Sequence, residues 1–468
     1  MNMTNLLRRP TTRRKTLWRG LAITGAAAVT LAACGGGSGT TTTTAAAAGS
    51  STTAAPTSTT AASGGSSTTA GSGGSSTTAS GTQLATGSPL TVGQLLPFTG
   101  TKAELSSWAV HGDGAAIYDV NHHGGVLGHK LVTANADDAG DAVDAVPAVR
   151  KLLSANPSFV VGPFSLVIES VINDFTPSHV PDFMIGGTTQ LNHMTQPYVY
   201  RVTASDSAEV VAMAYYAIHH GYKKAAHIFD NSANTQGLVA PLTKSYEAQG
   251  GTVVANLKIV PDQSSYRSEV ISAFAKHPQV VFVAFDEQTA TTVFSDARQL
   301  GDLNVPFVGE DVLGSPAYAK AFGQPAAGKL LFSVAGAPPG GQAYQHFLND
   351  YQARWGTRQI LSSTYNMYDA VIIASLAMTA AHSTNPQVWQ PYIVKIANPP
   401  GTKCYTYASC VSLISAGKKI NYEGATGSED FNKYHNTFSG FAVSGFSSND
   451  QLKQVAYVSG AQVSANAG

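Results

Sequence analysis

Val161-Gly162-Pro163-Phe164-Ser165 closes a short β-branched run, 159–161, with a glycine, a turn-forming proline and a hydroxyl. The same signature recurs at Ile185-Gly186-Gly187-Thr188-Thr189, Phe229-Asp230-Asn231, Phe285-Asp286-Glu287 and Val308-Gly309-Glu310-Asp311. Each time an apolar run of strand length stops at small or polar residues, and several of these loops open an amphipathic stretch. That alternation is the pattern of parallel strands joined by crossover helices, so the fold class is α/β. In open parallel sheets small ligands settle beyond the carboxyl ends of the strands, where free N–H groups and helix N-termini gather. Any one of these loops is explained by helix capping alone; five together point to a site.

Working outward, strands are expected at 90–96, 130–134, 183–185, 225–229, 253–260, 280–285, 307–309 and 330–334, and helices at 108–121, 142–155, 207–220, 266–276 and 289–300. Pro147 and Pro241 fall inside helical patterns, which are expected to start late or kink because proline removes a donor and crowds the preceding turn. A chain of 468 residues exceeds what one core organises, so two or more lobes are expected.

The 28 Lys+Arg and 28 Asp+Glu cancel only on average. Arg8, Arg9, Arg13, Arg14, Lys15 and Arg19 precede Leu21, whereas every acid lies at or beyond Glu104. The rest of the chain carries 22 positive against 28 negative residues, near −6, which argues against a nucleic-acid partner. Behind the basic patch, Leu21-Ala-Ile-Thr-Gly-Ala-Ala-Ala-Val-Thr-Leu-Ala-Ala33 has the length of a signal-peptide core and is too short to cross a bilayer. It ends in Leu31-Ala32-Ala33-Cys34, which resembles the bacterial lipobox, so residues 1–33 read as a lipoprotein signal peptide and Cys34 as the lipidated residue. A lipid anchor on the outer face of the cytoplasmic membrane follows. Arg13-Arg14 leaves both the general and the twin-arginine export routes open. Residues 34–87 are almost wholly Gly, Ser, Thr and Ala, too poor in apolar area to offset ordering entropy, and read as a disordered tether with an end-to-end distance of roughly 40 Å. Cys404 and Cys410 remain, and in an oxidising compartment they are expected to pair.

Asn121-His-His-Gly-Gly-Val-Leu-Gly128 with Ala136-Asp137-Asp138, Tyr200-Arg201 with Ser205-Asp206, Tyr365-Asn-Met-Tyr368-Asp369-Ala370, and Ile420-Asn421-Tyr422-Glu423-Gly424-Ala425-Thr426-Gly427 resemble the leucine/isoleucine/valine-binding family of periplasmic solute-binding proteins over roughly residues 88–460. The resemblance implies two doubly wound parallel-sheet lobes joined by three hinge crossovers, with residues 88–204 and 336–435 in lobe I and 205–335 and 436–468 in lobe II. It also implies a monomer that closes on a small-molecule ligand and delivers it to the permease of an ATP-binding-cassette importer, with no cofactor and no metal. Tyr422-Glu423-Gly424 is expected in a turn of structural role.

By the same resemblance Ser165, Thr188 and Thr189 are expected to hold a ligand carboxylate, Ser165 standing one place before the family's usual serine, where this chain has Leu166. Asp311 is the expected counter-ion for a ligand amine, with Glu310 beside it. Trp108 lies near the first loop of lobe I, and where family members place aromatics over the ligand this chain has Gln236-Gly237 and Asp286-Glu287. Gln236, Asp286 and Glu287 are therefore expected to make a polar, acidic wall that suits a polar, amine-bearing or multiply hydroxylated ligand better than a branched-chain amino acid. Catalytic residues are expected to be absent, since the chain contains no Gly-x-Ser-x-Gly, His-Glu-x-x-His, Walker loop or Cys-x-x-Cys. His122-His123 and His219-His220 are poor chelates, because neighbours on a helix point apart. A lipid-anchored sensing receptor of the same fold is the main rival; a hydrolase using Asp286, Glu287 or Asp311 is the third reading.

Overall fold

Alternation along the strands decides the architecture. In the first sheet Val92, Leu96, Phe159, Val161 and Phe183 face one apolar cluster, while Leu95, Val160 and Met184 face another. A strand whose two faces are both apolar is covered on both sides, as parallel sheets are. The computed structural model describes residues 86–100, 102–323, 328–358, 360, 364–447 and 452–466. The signal peptide, Cys34 and nearly all of the expected tether lie outside them.

The first sheet contains β1 (Gly87–Leu96), β2 (His129–Asp137), β3 (Phe159–Phe164), β4 (Asp182–Ile185) and β5 (Val199–Arg201), all parallel in the order β2-β1-β3-β4-β5. The chain then builds β6 (Lys224–Asp230), β7 (Thr252–Ile259), β8 (Val280–Ala284), β9 (Phe307–Gly309) and β10 (Leu330–Ala335). After a helical return to the first sheet come a small sheet of β11 (Thr402–Cys404), β12 (Ile420–Gly424) and β13 (Gly427–Ser428), and then β14 (Phe441–Phe446) and β15 (Leu452–Val458). The second large sheet runs β15-β14-β10-β9-β8-β6-β7. Its faces also alternate: Ala225, Phe229, Val280 and Phe282 meet one cluster, Ala226, Ile228, Val281 and Val283 the other. Among the described residues no helix is long and apolar enough to cross a membrane.

The chain passes between the sheets after β5, after β10 and before β14, and helix Thr364–Ala381 ties these passages together. The Tyr365 hydroxyl donates to the Ala335 carbonyl, and Asn366 Nδ2 donates to Val202 O at 2.9 Å. Thr437 N donates to Arg201 O at 3.2 Å, joining the first and third passages.

Several expectations need correction. The second sheet is not purely parallel, because β14 runs antiparallel to both β10 and β15. Gly87 belongs to β1, where it pairs with His129, and not to the tether. β3 continues through Gly162 and Pro163 to Phe164 with a register shift, so Ser165 is the first residue past the strand. Pro147 and Pro241 do not delay their helices, which run unbroken over Ala142–Ser154 and Ala233–Ala248; each proline deletes a single N–H donor in helices capped by Asp141 and Ser232. Tyr422-Glu423-Gly424 lies in β12 and not in a turn.

Cys404 and Cys410 form the expected disulfide, which closes β11 onto the first turn of helix Tyr407–Ser415. Replacing both with Ser is expected to cost about 2 kcal/mol through the freed denatured chain. Comparing urea midpoints of the oxidised chain and the double variant checks this, and equal midpoints would show that the small loop contributes nothing.

Candidate ligand-binding cleft

The strand ends of both sheets border one cavity of about 370 Å³. Trp108, Ser165 and Gly187 line it from the first sheet's side; Asp206, Glu209, Asn234, Glu310 and Asp311 line it from the other. Two larger depressions, of about 620 and 710 Å³, lie beside β2 and beside the loop of Pro399 and Pro400. Neither gathers loops from both sheets, so the smaller cavity is the better candidate.

Local sequence explains how each carboxylate arrives. Ser205 caps helix Asp206–His219 by accepting from Ser207 N, which sets Asp206 in the first turn and Glu209 one turn on, on the same face. Gly187 permits the approach: a Cβ there would lie 1.6 Å from Asp206 Oδ1, and the Gly187 carbonyl accepts from Asp206 N at 2.8 Å. Below this loop the buried Arg201 guanidinium donates to the carbonyls of Gly186, Gly187 and Thr188 and to Asn192 Oδ1 at 2.6 Å. β9 ends at Gly309 and delivers Glu310 and Asp311, and Asp311 N donates to Glu209 Oε1 at 3.0 Å.

Four acids so close cannot all ionise at ordinary acid strength. Burial, then the charge of Asp311, pushes Asp206 up to about 7, against the pull of Arg201 and a hydrogen bond from Asn234. Burial raises Glu209 and Glu310 well above the usual carboxylate range, and neighbouring acids add to it. Asp311 is raised by lost hydration, although part of it opens to the cleft mouth. Asp206, Glu209 and Glu310 bring oxygens within 4.8 Å of one another, an all-oxygen cluster poised for positive charge.

Trp108, Ser165 and Asp311 thus share the cavity. Thr188 is buried behind it, its hydroxyl turned to Gln190 Oε1. Thr189 sits at the seam facing Gly237, where a Cβ would come within 3.2 Å of its hydroxyl. Gln236 does not line the cavity, because its amide turns back to the Asp230 carbonyl at 2.6 Å. Nor do Asp286 and Glu287: Asp286 caps helix Glu287–Leu300 by accepting from Thr289 N at 2.7 Å, and Glu287 is exposed in the first turn. Asp206, Glu209 and Asn234 were missed as site residues. The available signal was the Ser205-Asp206-x-x-Glu209 spacing, a capped helix start with two acids on one face.

Two α/β units with a carboxylate-bearing cavity between their strand ends define a ligand-capturing protein. Residues 89–390 match the family model described as periplasmic binding protein, and the chain belongs to that family, one of binding proteins and not of enzymes. Leu/Ile/Val-binding protein BraC3 of Rhizobium johnstonii is 28% identical over 259 residues, 53% of this chain and 67% of that protein. The chemotactic signal transduction system substrate-binding protein BasB of Halobacterium salinarum is 23% identical over 392 residues, 76% of this chain and 87% of that protein. Among solved structures, an ABC transporter substrate-binding protein from Desulfitobacterium hafniense in complex with Leu superposes with a TM-score of 0.63 at 18% identity, covering 78% of this chain and all of that one. That likeness is one of fold.

Proposed function

We propose that this chain is the exported, Cys34-anchored solute-binding component of an ATP-binding-cassette importer, and that it captures a small amino-acid-like or amide-like ligand bearing a cationic amine. The convergence of Asp206, Glu209, Glu310 and Asp311 on one cavity carries the reading. A cation brought among these acids favours their ionised forms, which burial and mutual repulsion otherwise disfavour. The Ser165 hydroxyl and the backbone near Gly187 supply polar partners on the opposite wall, and a cavity of about 370 Å³ suits a ligand of amino-acid size. Ligand touching both lobes favours closure through contacts that exist only in the closed form. Mass spectrometry of co-purifying ligand, followed by calorimetry and small-angle scattering, tests this. Tight binding of a polar amine with a smaller radius of gyration supports it, whereas equal affinity for leucine, or an unchanged radius, contradicts it.

The long match to BasB favours sensing as the second reading. Deleting the chain should abolish uptake of its ligand if it serves a permease, and abolish only the response to that ligand if it serves a receptor.

A further inference from the structure

Away from the cleft, three helices of the first unit bring together ionisable side chains that ligand capture does not use. Asp119 lies on helix Glu104–His122, eleven residues beyond Trp108 and so about 16 Å along the helix axis. His346 and Asp350 stand one turn apart on helix Gln342–Trp355. His346 Nε2 is 3.3 Å from Asp119 Oδ2 and 3.2 Å from Asp350 Oδ2, and donor atoms of all three residues lie within 4.8 Å of one another. A tetrahedral zinc ion bound at about 2.0–2.1 Å holds neighbouring donors about 3.3 Å apart. The two imidazole-to-carboxylate separations are therefore edges of such a tetrahedron.

The surroundings of the two carboxylates add to this spacing. The Asp119 side chain is fully buried, and its Oδ1 is in ion-pair contact with His123 Nδ1 at 2.8 Å. The same Nδ1 lies 2.9 Å from the Asp119 carbonyl, so the imidazole is shared between the two oxygens. The Tyr368 hydroxyl spans both carboxylates, 3.1 Å from Asp119 Oδ2 and 2.7 Å from Asp350 Oδ2, and with one proton it can donate to only one of them. The Oδ2 atoms of two buried acids thus share one imidazole and one hydroxyl, and a divalent ion bound between them would replace those shared contacts with direct bonds.

We propose that Asp119, His346 and Asp350 form a binding site for a divalent transition-metal ion, zinc by its donor set, which fastens helix Gln342–Trp355 to helix Glu104–His122. One imidazole and two carboxylates select zinc over magnesium or calcium, which take all-oxygen sets. The Tyr368 hydroxyl acts from behind the ligands by fixing a carboxylate's orientation. The ion enters from solvent past His346 and His123, whose side chains are 25% and 44% exposed. Adjacent histidines do not chelate here: His122 turns to the Tyr118 carbonyl and His123 to that of Asp119. The histidine that matters is distant in sequence.

The test uses the untagged chain, stripped with chelator and titrated with Co²⁺ as a spectroscopic probe and then with Zn²⁺. One Co²⁺ per chain, with intense visible absorption bleached by stoichiometric Zn²⁺, is expected. His346→Gln should weaken Zn²⁺ binding by about 100-fold and Tyr368→Phe by about tenfold, with circular dichroism unchanged. His219→Ala with His220→Ala should leave binding intact. Absence of binding, loss of the signal in the His219/His220 variant, or undiminished binding in a folded His346→Gln chain would each overturn the site and leave an ion-pair network only. Ligand capture in the cleft is measured separately and does not depend on this outcome.

Discussion

Asp369→Ala destabilises the chain by about 3 to 5 kcal/mol, the cost of removing the shared partner from a buried polar network. Asp369 is fully buried on helix Thr364–Ala381 and accepts from the Tyr422 hydroxyl at 2.7 Å, Ala425 N at 2.9 Å, and Thr426 N and Oγ1 at 3.0 Å each. Truncation leaves these donors dry, and water cannot reach them without opening the core. Gly424 shows how tightly the turn is drawn in, since a Cβ there would stand 2.5 Å from Asp369 Oδ2. Asp369→Asn keeps the shape but replaces one acceptor oxygen with a donor, so it should cost less. Urea unfolding read by circular dichroism measures both, and a midpoint for Asp369→Ala equal to that of the parent would refute the account.

The same contact explains why two distant motifs resembled one family. Tyr365-Asn-Met-Tyr368-Asp369 and Ile420–Gly427 belong together because Asp369 holds the second motif, while Tyr365 and Asn366 hold the passages between the sheets. Most of the parallel strands were legible, β5 excepted, and the central ones because they are runs such as Phe159-Val160-Val161, apolar on both faces. β14 and β15 were not legible. They form an antiparallel edge, and β15 leaves Leu452 and Val455 exposed, so its pattern lacks the continuous apolar run that marks a covered strand. β3 was read too short because a Gly-Pro pair ordinarily ends a strand, and here a register shift carries the strand past it.

Site residues divided along the same line. Ser165 and Asp311 were named through the family resemblance, which places them in loops just past strand ends, and these loops do border the cavity. Asp286 and Gln236 also follow strand ends, but local bonding captured them, one as a helix cap and the other folded back on Asp230. Glu209 escaped notice because its role comes from a contact 102 residues away in sequence, the hydrogen bond it accepts from Asp311 N. No local pattern encodes the approach of helix Asp206–His219 to the end of β9.

Affinity for a cationic ligand should rise with pH through neutrality, and Asp206 should set the midpoint. Burial and Asp311 raise its carboxyl to about 7, above the value near 3.9 of an unfolded chain. In the ligand-free protein the ionised form is therefore disfavoured. The protein is most stable, as far as this group is concerned, below its unfolded value and loses that stability as pH rises through about 7. A bound amine reverses the preference, because it interacts with the carboxylate and not with the acid. Below about pH 7, binding must expel a proton, and affinity falls by up to about tenfold per pH unit for each proton released. Asp206→Asn should flatten this dependence. Asp311→Asn should weaken binding by about 30-fold or more at pH 8, equivalent to about 2 kcal/mol, the lower end for breaking a desolvated charge pair. Calorimetry at pH 5.5, 6.5, 7.5 and 8.5 with the co-purified ligand distinguishes the cases. An affinity that falls with rising pH, or a slope that Asp206→Asn leaves intact, would mean that the ligand does not present its positive charge to these carboxylates.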